Sequence, residues 1–216
     1  MKTTSSSKLP SSHTTHTASS STSAQVSPRV HPCARSSPQG HGHNAKYLDP
    51  AHVTKYVALE PNTHMHAAIC SAAHAAGFTE TAGTFVLLAC GAEDTSAVLA
   101  SLGGYQPVDT LLSVLTLCSV PAAQDVVASL ATEVLKPGGQ FLFIEHVRHP
   151  NPCVARWQTF WSLFWAWVFD GCRLDRPTHV WIHQVGGWAH EEMTGVEGED
   201  EEHLFYHRVG RFVKAT

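Results

Sequence analysis

The chain has 216 residues, of which 43% are hydrophobic, and a formal net charge of −4. This length suffices for one α/β domain with a sizeable core. A weakly acidic chain lacks the basic surface with which proteins bind phosphate backbones, so we expect no nucleic-acid partner. The sequence contains no run of the roughly 20 apolar residues that span a bilayer.

The six cysteines are widely spaced and form no CxxC pair, which indicates a reducing compartment without a disulfide framework. We therefore expect an intracellular, cytoplasmic protein, with a membrane-peripheral or organellar location as the alternative. His-x-His pairs at 41–43 and 64–66 resemble metal-ligand pairs. Neither has a partner one helical turn away or a cysteine pair nearby, so we predict no metal site.

Residues 1–44 are rich in Ser, Thr, His and Pro and contain no Asp or Glu. Such a segment cannot bury enough apolar surface to offset its ordering entropy, so we predict a disordered leader followed by one domain at 45–216. A basic, serine-rich leader without acids also resembles an organelle transit peptide. Against that interpretation, it carries only two arginines and no amphipathic helix.

Short apolar, β-branched runs predict strands, and alanine-rich or leucine-rich stretches that end at glycine predict helices. Before residue 108 the predicted elements are a strand at 56–59, a helix at 65–76, a strand at 85–90 and a helix at 96–102. After residue 147 they are an aromatic helix at 154–169, a polar loop at 170–178, an acidic linker at 197–202, and a final strand or hairpin near a sheet edge at 204–214.

The stretch 108–147 is the centre of the predicted fold. Its apolar run at 110–117 is typical of a strand buried on both faces. Pro121 then opens a helix, which Lys-Pro-Gly-Gly at 136–139 ends, and 141–144 is a second buried strand. Strand, helix and strand in this order form a right-handed parallel crossover, so the predicted fold class is α/β.

The predicted helix at 154–169 carries tryptophan and phenylalanine at helical spacing. It is too short to span a membrane, so we interpret it as a buried lid or an interfacial helix. An interfacial helix from Trp157 to Trp167 would give the protein a peripheral membrane contact. Plain core packing of the aromatic stripe is the alternative.

Three loops, at 60–62, 91–94 and 116–119, follow predicted strands. Ligands of open α/β sheets bind beyond the carboxyl ends of the strands. An acid such as Glu60 at a strand tip can accept hydrogen bonds from two ribose hydroxyls. The alternative for Glu60 alone is a solvated carboxylate.

Four motifs occur in a fixed order, and a fifth follows them: YVALEPN at 56–62, CGAED at 90–94, DTLLSVLTLCSV at 109–120, LKPGGQFLFIEHV at 135–147 and FDGCRLDRP at 169–177. The ordered set resembles the class I S-adenosylmethionine-dependent methyltransferases. Its last three motifs resemble the methyltransferase type 11 branch that includes membrane-associated thiol methyltransferases and their fungal relatives. The resemblance implies a Rossmann-like sheet of seven strands in the order 3-2-1-4-5-7-6, with strand seven antiparallel, and S-adenosyl-L-methionine as cofactor.

The resemblance also implies roles for individual residues. Glu60 would hold the cofactor ribose, and Ala92 with Glu93 would face the adenine. Thr116, with the residues up to Ser119, would flank the methionine part.

The family's glycine loop is the place where this sequence departs from the pattern. Gly40 and Gly42 are the candidate remnants of that loop, and counting back from them places the first strand at 31–35. Proline within 31–35 makes a poor central strand. Losing a central strand removes its ladder hydrogen bonds, which together contribute several kcal/mol to stability. That loss is comparable with a domain's free energy of unfolding of about 5–15 kcal/mol. We therefore predict an N-terminally altered or truncated form with compromised cofactor binding.

Methyl transfer from a sulfonium needs mainly positioning and desolvation, with a base only where the acceptor must lose a proton. The candidate catalytic groups are His146 and Asp170; a histidine bonded to a neighbouring backbone group is the alternative for His146. Cys118 is interpreted as a core residue. A thiol acceptor would need little help, because a few per cent is already thiolate at neutral pH.

The predicted function is methyl transfer from S-adenosyl-L-methionine to a small, apolar acceptor, either a thiol or another small molecule. The alternative is an inactive protein of the same fold that serves as a binding or scaffold domain, or a truncated gene product. Besides the acceptor, the expected partner is a membrane surface. The oligomeric state stays open.

Overall fold

The computed structural model describes residues 21–23, 44–169, 171–199 and 202–216. Its seven strands form one sheet in the order β3-β2-β1-β4-β5-β7-β6, in which the first five are parallel and β7 runs antiparallel to both neighbours. The predicted α/β class, strand order and antiparallel seventh strand are therefore confirmed. The strands are β1 (Ser21–Ser23), β2 (Tyr56–Leu59), β3 (Phe85–Leu88), β4 (Val108–Val114), β5 (Leu135–His146), β6 (Trp188–Thr194) and β7 (His207–Lys214).

β1 corrects the prediction that the central strand is missing. It pairs in parallel with both β2 and β4, so it fills the interior position between them. The strand expected at 31–35 lies outside the described residues, as does most of the predicted leader. The segment Ser-Thr-Ser lacks the apolar run from which sequence patterns predict an interior strand.

In the described part of the chain five α-helices connect the strands, and side chains cap the starts of three of them. The side chain of Asn62 caps the first helix by accepting from the backbone N–H of His64, and Asp94 caps the second by accepting from that of Ala97. The helices are α1 (Thr63–Ala75), α2 (Thr95–Leu102), α3 (Ala123–Ser129), α4 (Pro152–Val168) and α5 (Thr178–Val185).

The crossover from β4 through α3 to β5 is the predicted centre of the fold, and the structure confirms it. A π-helical turn (Leu130–Val134) leads directly into β5. The ladder between β4 and β5 is irregular where Lys-Pro-Gly-Gly passes. A Cβ at Gly139 would lie 2.9 Å from the carbonyl oxygen of Asp109, so the close approach of the two strands requires glycine there.

The C-terminal part of the fold departs most from the predicted elements. Residues 178–194, without a predicted element, form α5 and the edge strand β6. The predicted strand or hairpin at 204–214 is the single strand β7, which lies next to that edge. Among the described residues, every helix is too short or too polar to cross a bilayer.

His179 gives the packing of α5 a measurable pH dependence. Burial, and then the charge of Arg208, lower the pKa of His179 to about 4. The unfolded chain binds this proton near pH 6.5 whereas the folded chain does not. The contribution of neutral His179 to the free energy of unfolding is therefore complete above pH 6.5 and is lost as pH falls from about 6.5 towards 4.

We expect wild type to lose about 1–2 kcal/mol more unfolding free energy than His179→Gln between pH 7 and pH 4.5. This value allows for solvent screening of a half-buried ring. Urea unfolding at both pH values measures the difference. His190→Gln, an exposed histidine on β6, is the control and should behave as wild type. Parallel pH profiles for wild type and His179→Gln would contradict the assignment.

Candidate functional site

The carboxyl ends of the parallel strands form one edge of the sheet, and the predicted site residues follow them. Glu60 comes directly after β2, Ala92 lies beyond β3, and Thr116 follows β4. Ala92 and Thr116 line a common cavity of about 10 Å³, together with Leu111, Leu112, Ser113, Leu117, Val120, Leu130 and Phe141. The structure therefore brings the loops after β3 and β4 together.

Glu60 is fully buried at the tip of β2. Its Oε1 accepts a hydrogen bond of 2.8 Å from the backbone N–H of Asn62, and its own N–H donates to the carbonyl of Leu88 on β3. His66 Nε2 lies 2.8 Å from the Glu60 carbonyl oxygen. The backbone therefore fixes the direction of this carboxylate, in contrast to the solvated carboxylate of the alternative interpretation.

The loop after β3 separates its two predicted adenine contacts. Ala92 is buried, whereas Glu93 is exposed. The Glu93 carboxylate folds back over Gly91, in space that a side chain at residue 91 would need. A glycine at residue 91 thus makes room for the neighbouring carboxylate.

Glu145, near the end of β5, holds the loop that follows β4. Its Oε1 accepts from the Ser113 hydroxyl at 2.7 Å and from the backbone N–H groups of Thr116 at 3.0 Å and Leu117 at 3.3 Å. Burial raises the pKa of Glu145, although the Thr116 and Ser113 donors act in the opposite direction. The Thr116 hydroxyl lies 2.8 Å from the Ser113 hydroxyl, so both polar groups of Thr116 stabilise the loop.

His146, Cys118 and Cys172 converge at the carboxyl ends of β4 and β5. The Cys172 Sγ lies 3.2 Å from His146 Nε2 and 3.4 Å from the Cys118 Sγ. The bond to Cys172 and burial raise the pKa of Cys118 well above its usual range, and the same bond lowers the pKa of Cys172. Burial lowers the pKa of His146, but Cys118 and Glu145 raise it more, so that the net shift is upward.

The segment that carries Cys172 is anchored to the loop after β4. The backbone N–H of Arg173 donates to the carbonyl of Cys118 at 3.1 Å. The guanidinium of Arg176 donates to the carbonyls of Leu117 and Val120 at 2.9 and 2.6 Å. These contacts hold two loops together that are distant in sequence.

Sequence reasoning found His146 but missed the group around it. It interpreted Cys118 as core and did not single out Cys172, because no short spacing connects the three residues. Three of the predicted site residues, Gly40, Gly42 and Asp170, lie outside the described residues.

A parallel sheet in this order with an antiparallel seventh strand is the fold of class I methyltransferases, and solved structures of this class match the chain. A putative methyltransferase from Bacillus halodurans matches with a TM-score of 0.61 at 11% identity, covering 91% of this chain and 94% of that one. The N-methyltransferase NodS from Bradyrhizobium japonicum, in complex with S-adenosyl-L-homocysteine, matches with a TM-score of 0.54 at 13% identity, covering 91% and 79%.

The sequence is similar to thiol S-methyltransferases. It is 39% identical over 72 residues to TMT1B from Rattus norvegicus, covering 33% of this chain and 29% of that protein. It is 37% identical over 75 residues to human TMT1A, with the same coverage of 33% and 29%. The match thus spans less than a third of these relatives, and no family model matches the chain. The fold is therefore that of class I methyltransferases, and the sequence similarity to thiol S-methyltransferases agrees with the resemblance.

Proposed function

We propose that this protein transfers a methyl group from S-adenosyl-L-methionine to a small acceptor, and that the acceptor is a thiol. The observation that carries the proposal is the sequence similarity to two thiol S-methyltransferases in a chain with the class I methyltransferase sheet. These relatives favour an enzyme over the non-catalytic scaffold considered as the alternative.

The carboxyl edge of the sheet offers groups that fit the cofactor. Glu60, buried and oriented by the Asn62 N–H, would accept from the ribose hydroxyls. Ala92, buried after β3, would pack against the adenine, and Glu93 would bind at its exposed edge. The loop at Thr116, fixed by Glu145, would flank the methionine part. When bound, the cofactor supplies a methyl group already activated on a sulfonium.

The central strand bears on whether this form binds the cofactor. The expectation of compromised binding depended on the loss of that strand, and β1 occupies its place. Isothermal titration of the full chain with S-adenosyl-L-homocysteine should therefore give low-micromolar binding. Absence of binding would contradict the methyltransferase proposal itself.

A thiol acceptor suits the polar groups near this edge. Methylation of a thiolate needs desolvation and alignment more than a strong base. Asp170 stays a candidate base, and His146 has Cys172 as its Nε2 partner.

The decisive experiment is incubation of the full chain with methyl-labelled cofactor and matched thiol, phenol and amine acceptors. We expect label in the thioether product, with little in the other two. Label in the phenol or amine alone would overturn the thiol assignment while leaving methyl transfer in place.

We further propose that the outer face of α4 contacts a membrane surface. The side chains of Trp157, Phe160, Leu163 and Trp167 are between 58% and 82% exposed. The face of α4 that packs on the protein holds instead Val154, Ala155, Gln158 and Ser162. Large apolar patches on a surface mark contact sites, and tryptophan is enriched where proteins meet the interfacial layer of a bilayer.

Replacing Trp157 and Trp167 together by serine is expected to weaken vesicle binding at least tenfold. Each ring would lose about 100 Å² of buried apolar area, which corresponds to about 2.5 kcal/mol of membrane-binding free energy per ring. Cosedimentation with phosphatidylcholine–phosphatidylserine vesicles measures the effect. Tyr47→Ser with Tyr105→Ser removes two equally exposed rings elsewhere and should leave binding unchanged. The proposal would be contradicted if the wild-type protein did not bind vesicles but formed a dimer, and the tryptophan variant did not. That result would show that a second copy of the chain covers the outer face of α4.

A further inference from the structure

Cys118, His146 and Cys172 form a compact group of metal-ligand side chains. One ligand atom of each lies within 4.8 Å of the other two. We propose that this group binds one Zn²⁺ ion through three protein ligands and leaves a coordination position for the acceptor. The second half of this proposal rests on the proposed function, whereas the metal site stands without it.

The distances within the group match those around a single ion. Zinc binds cysteine sulfur at about 2.3 Å and histidine nitrogen at about 2.0–2.1 Å, so tetrahedral ligand atoms lie about 3.3–3.8 Å apart. Here the two sulfurs are 3.4 Å apart, and the Cys172 sulfur is 3.2 Å from His146 Nε2. The third pair, Cys118 Sγ and the His146 ligand nitrogen, lies within 4.8 Å, so side-chain adjustments would place all three atoms around one ion.

The fold holds the three ligands in position before any metal binds. Cys118 lies in the loop after β4, His146 is the last residue of β5, and Cys172 belongs to the segment between α4 and α5. The hydrogen bonds from Arg173 to Cys118 and from Arg176 to Leu117 join the two loops. A preorganised group of this kind loses little conformational entropy on binding a metal.

The ligand types and their number select the metal and its use. Two cysteines and one histidine favour zinc over magnesium or calcium, which prefer oxygen ligands. In the part of the chain that the structure describes, the group contains three residues and no fourth His, Cys, Asp or Glu. Three protein ligands are typical of catalytic zinc sites, which keep a position for an exchangeable ligand. Cys118 and His146 are buried and Cys172 is half-buried, so Cys172 is the most exposed of the three ligand residues.

An acceptor thiol fits that free position. It would bind as its thiolate, releasing its proton to solvent, because a metal-coordinated thiol is deprotonated. The acceptor sulfur then forms a bond to the methyl carbon while the bond from that carbon to the sulfonium sulfur breaks, with the electron pair staying on the departing sulfur. The neutral thioether product is a weak zinc ligand and can leave.

Metal content of the full chain, purified under reducing conditions without chelators, tests the site. We expect about one zinc per chain, and after exchange with Co²⁺ a sulfur-to-cobalt charge-transfer band. Cys118→Ser, Cys172→Ser and His146→Gln should each lower zinc affinity at least a hundredfold. Cys70→Ser and Cys153→Ser, cysteines outside the group, are the matched controls and should bind as wild type.

Two results would overturn the metal site. One is a wild-type chain that holds less than a tenth of an equivalent of zinc after equilibration with zinc chloride. The other is a Cys118–Cys172 disulfide found by mass spectrometry under the same reducing conditions, which would assign the pair to redox chemistry. A lowered melting temperature identifies a serine variant that has lost its fold. In that case the presence or absence of the sulfur-to-cobalt band in the wild-type chain decides whether the metal site exists.

The role of the metal is separable from the methyltransferase activity. Addition of the acceptor thiol should shift the cobalt spectrum, and removal of zinc should abolish thiol methylation while cofactor affinity persists. Full methylation by the zinc-free chain would overturn the role of the metal and leave the proposed function intact. Zinc binding without any methyl product would overturn the proposed function and leave the metal site intact.

Discussion

Replacement of Gln158 by alanine is expected to lower the free energy of unfolding by about 3–5 kcal/mol. This side chain is fully buried on the inner face of α4. Its Nε2 donates to the carbonyls of Val147 at 3.1 Å and Leu204 at 2.8 Å, and its Oε1 accepts from the N–H of His149 at 2.7 Å. Truncation leaves three backbone groups without this partner, at about 1 kcal/mol or more each, and adds a cavity.

Urea unfolding at neutral pH measures this loss. Gln124→Ala makes the same chemical change at an exposed site on α3 and should stay within about 0.5 kcal/mol of wild type. Gln158→Glu keeps the acceptor for His149 but turns a carboxylate oxygen towards two carbonyls, so it should be at least as destabilising as the alanine variant. A Gln158→Ala protein within 1 kcal/mol of wild type would show that α4 is held mainly by other contacts.

Gln158 also explains why the sequence left the faces of α4 open. Hydrophobic periodicity allowed the aromatic stripe to be a buried lid, an interfacial face or part of the core. The structure instead buries Gln158 and Ser162, because their side chains hydrogen-bond backbone groups, including the N–H of Leu174 at 2.9 Å. Hydropathy gives no information about these hydrogen-bond partners, so it cannot predict that the two polar side chains are buried. The interfacial interpretation therefore fits the exposed aromatic face, and core packing of the whole stripe is wrong.

The elements predicted correctly are those whose own residues determine them. The apolar run of β4 and the crossover through α3 depend on local composition, so sequence patterns were sufficient. Lys-Pro-Gly-Gly was predicted to end the helix, but it lies within β5. β1 is different, because only its pairing with β2 and β4 makes a Ser-Thr-Ser segment a strand.

The same distinction applies to the candidate site. Glu60, Ala92 and Thr116 follow strands, so the order of elements placed them at one edge. The group of Cys118, His146 and Cys172 depends on the polar segment after α4 folding back onto the loop after β4. That tertiary contact leaves no trace in residue spacing, so the sequence did not group these three residues.

Glu60→Gln is expected to weaken binding of S-adenosyl-L-homocysteine by about 10- to 100-fold. A hydrogen bond to a charged acceptor contributes about 1.5–3 kcal/mol, and each 1.4 kcal/mol corresponds to a factor of ten in affinity. Glutamine can still accept from the Asn62 N–H through its own oxygen, so the loss should fall on the ligand rather than on the loop.

Isothermal titration of the purified full chain measures this affinity, and the melting temperature without ligand reports on the fold. Glu192→Gln removes the same charge from the edge strand β6, at the far side of the sheet from β2, and should leave affinity unchanged. Glu60→Asp keeps the charge with a shorter reach and should give an intermediate affinity. A folded Glu60→Gln protein that binds within twofold of wild type would remove Glu60 from the cofactor site, because a charged acceptor on the ribose cannot be replaced by an amide without loss.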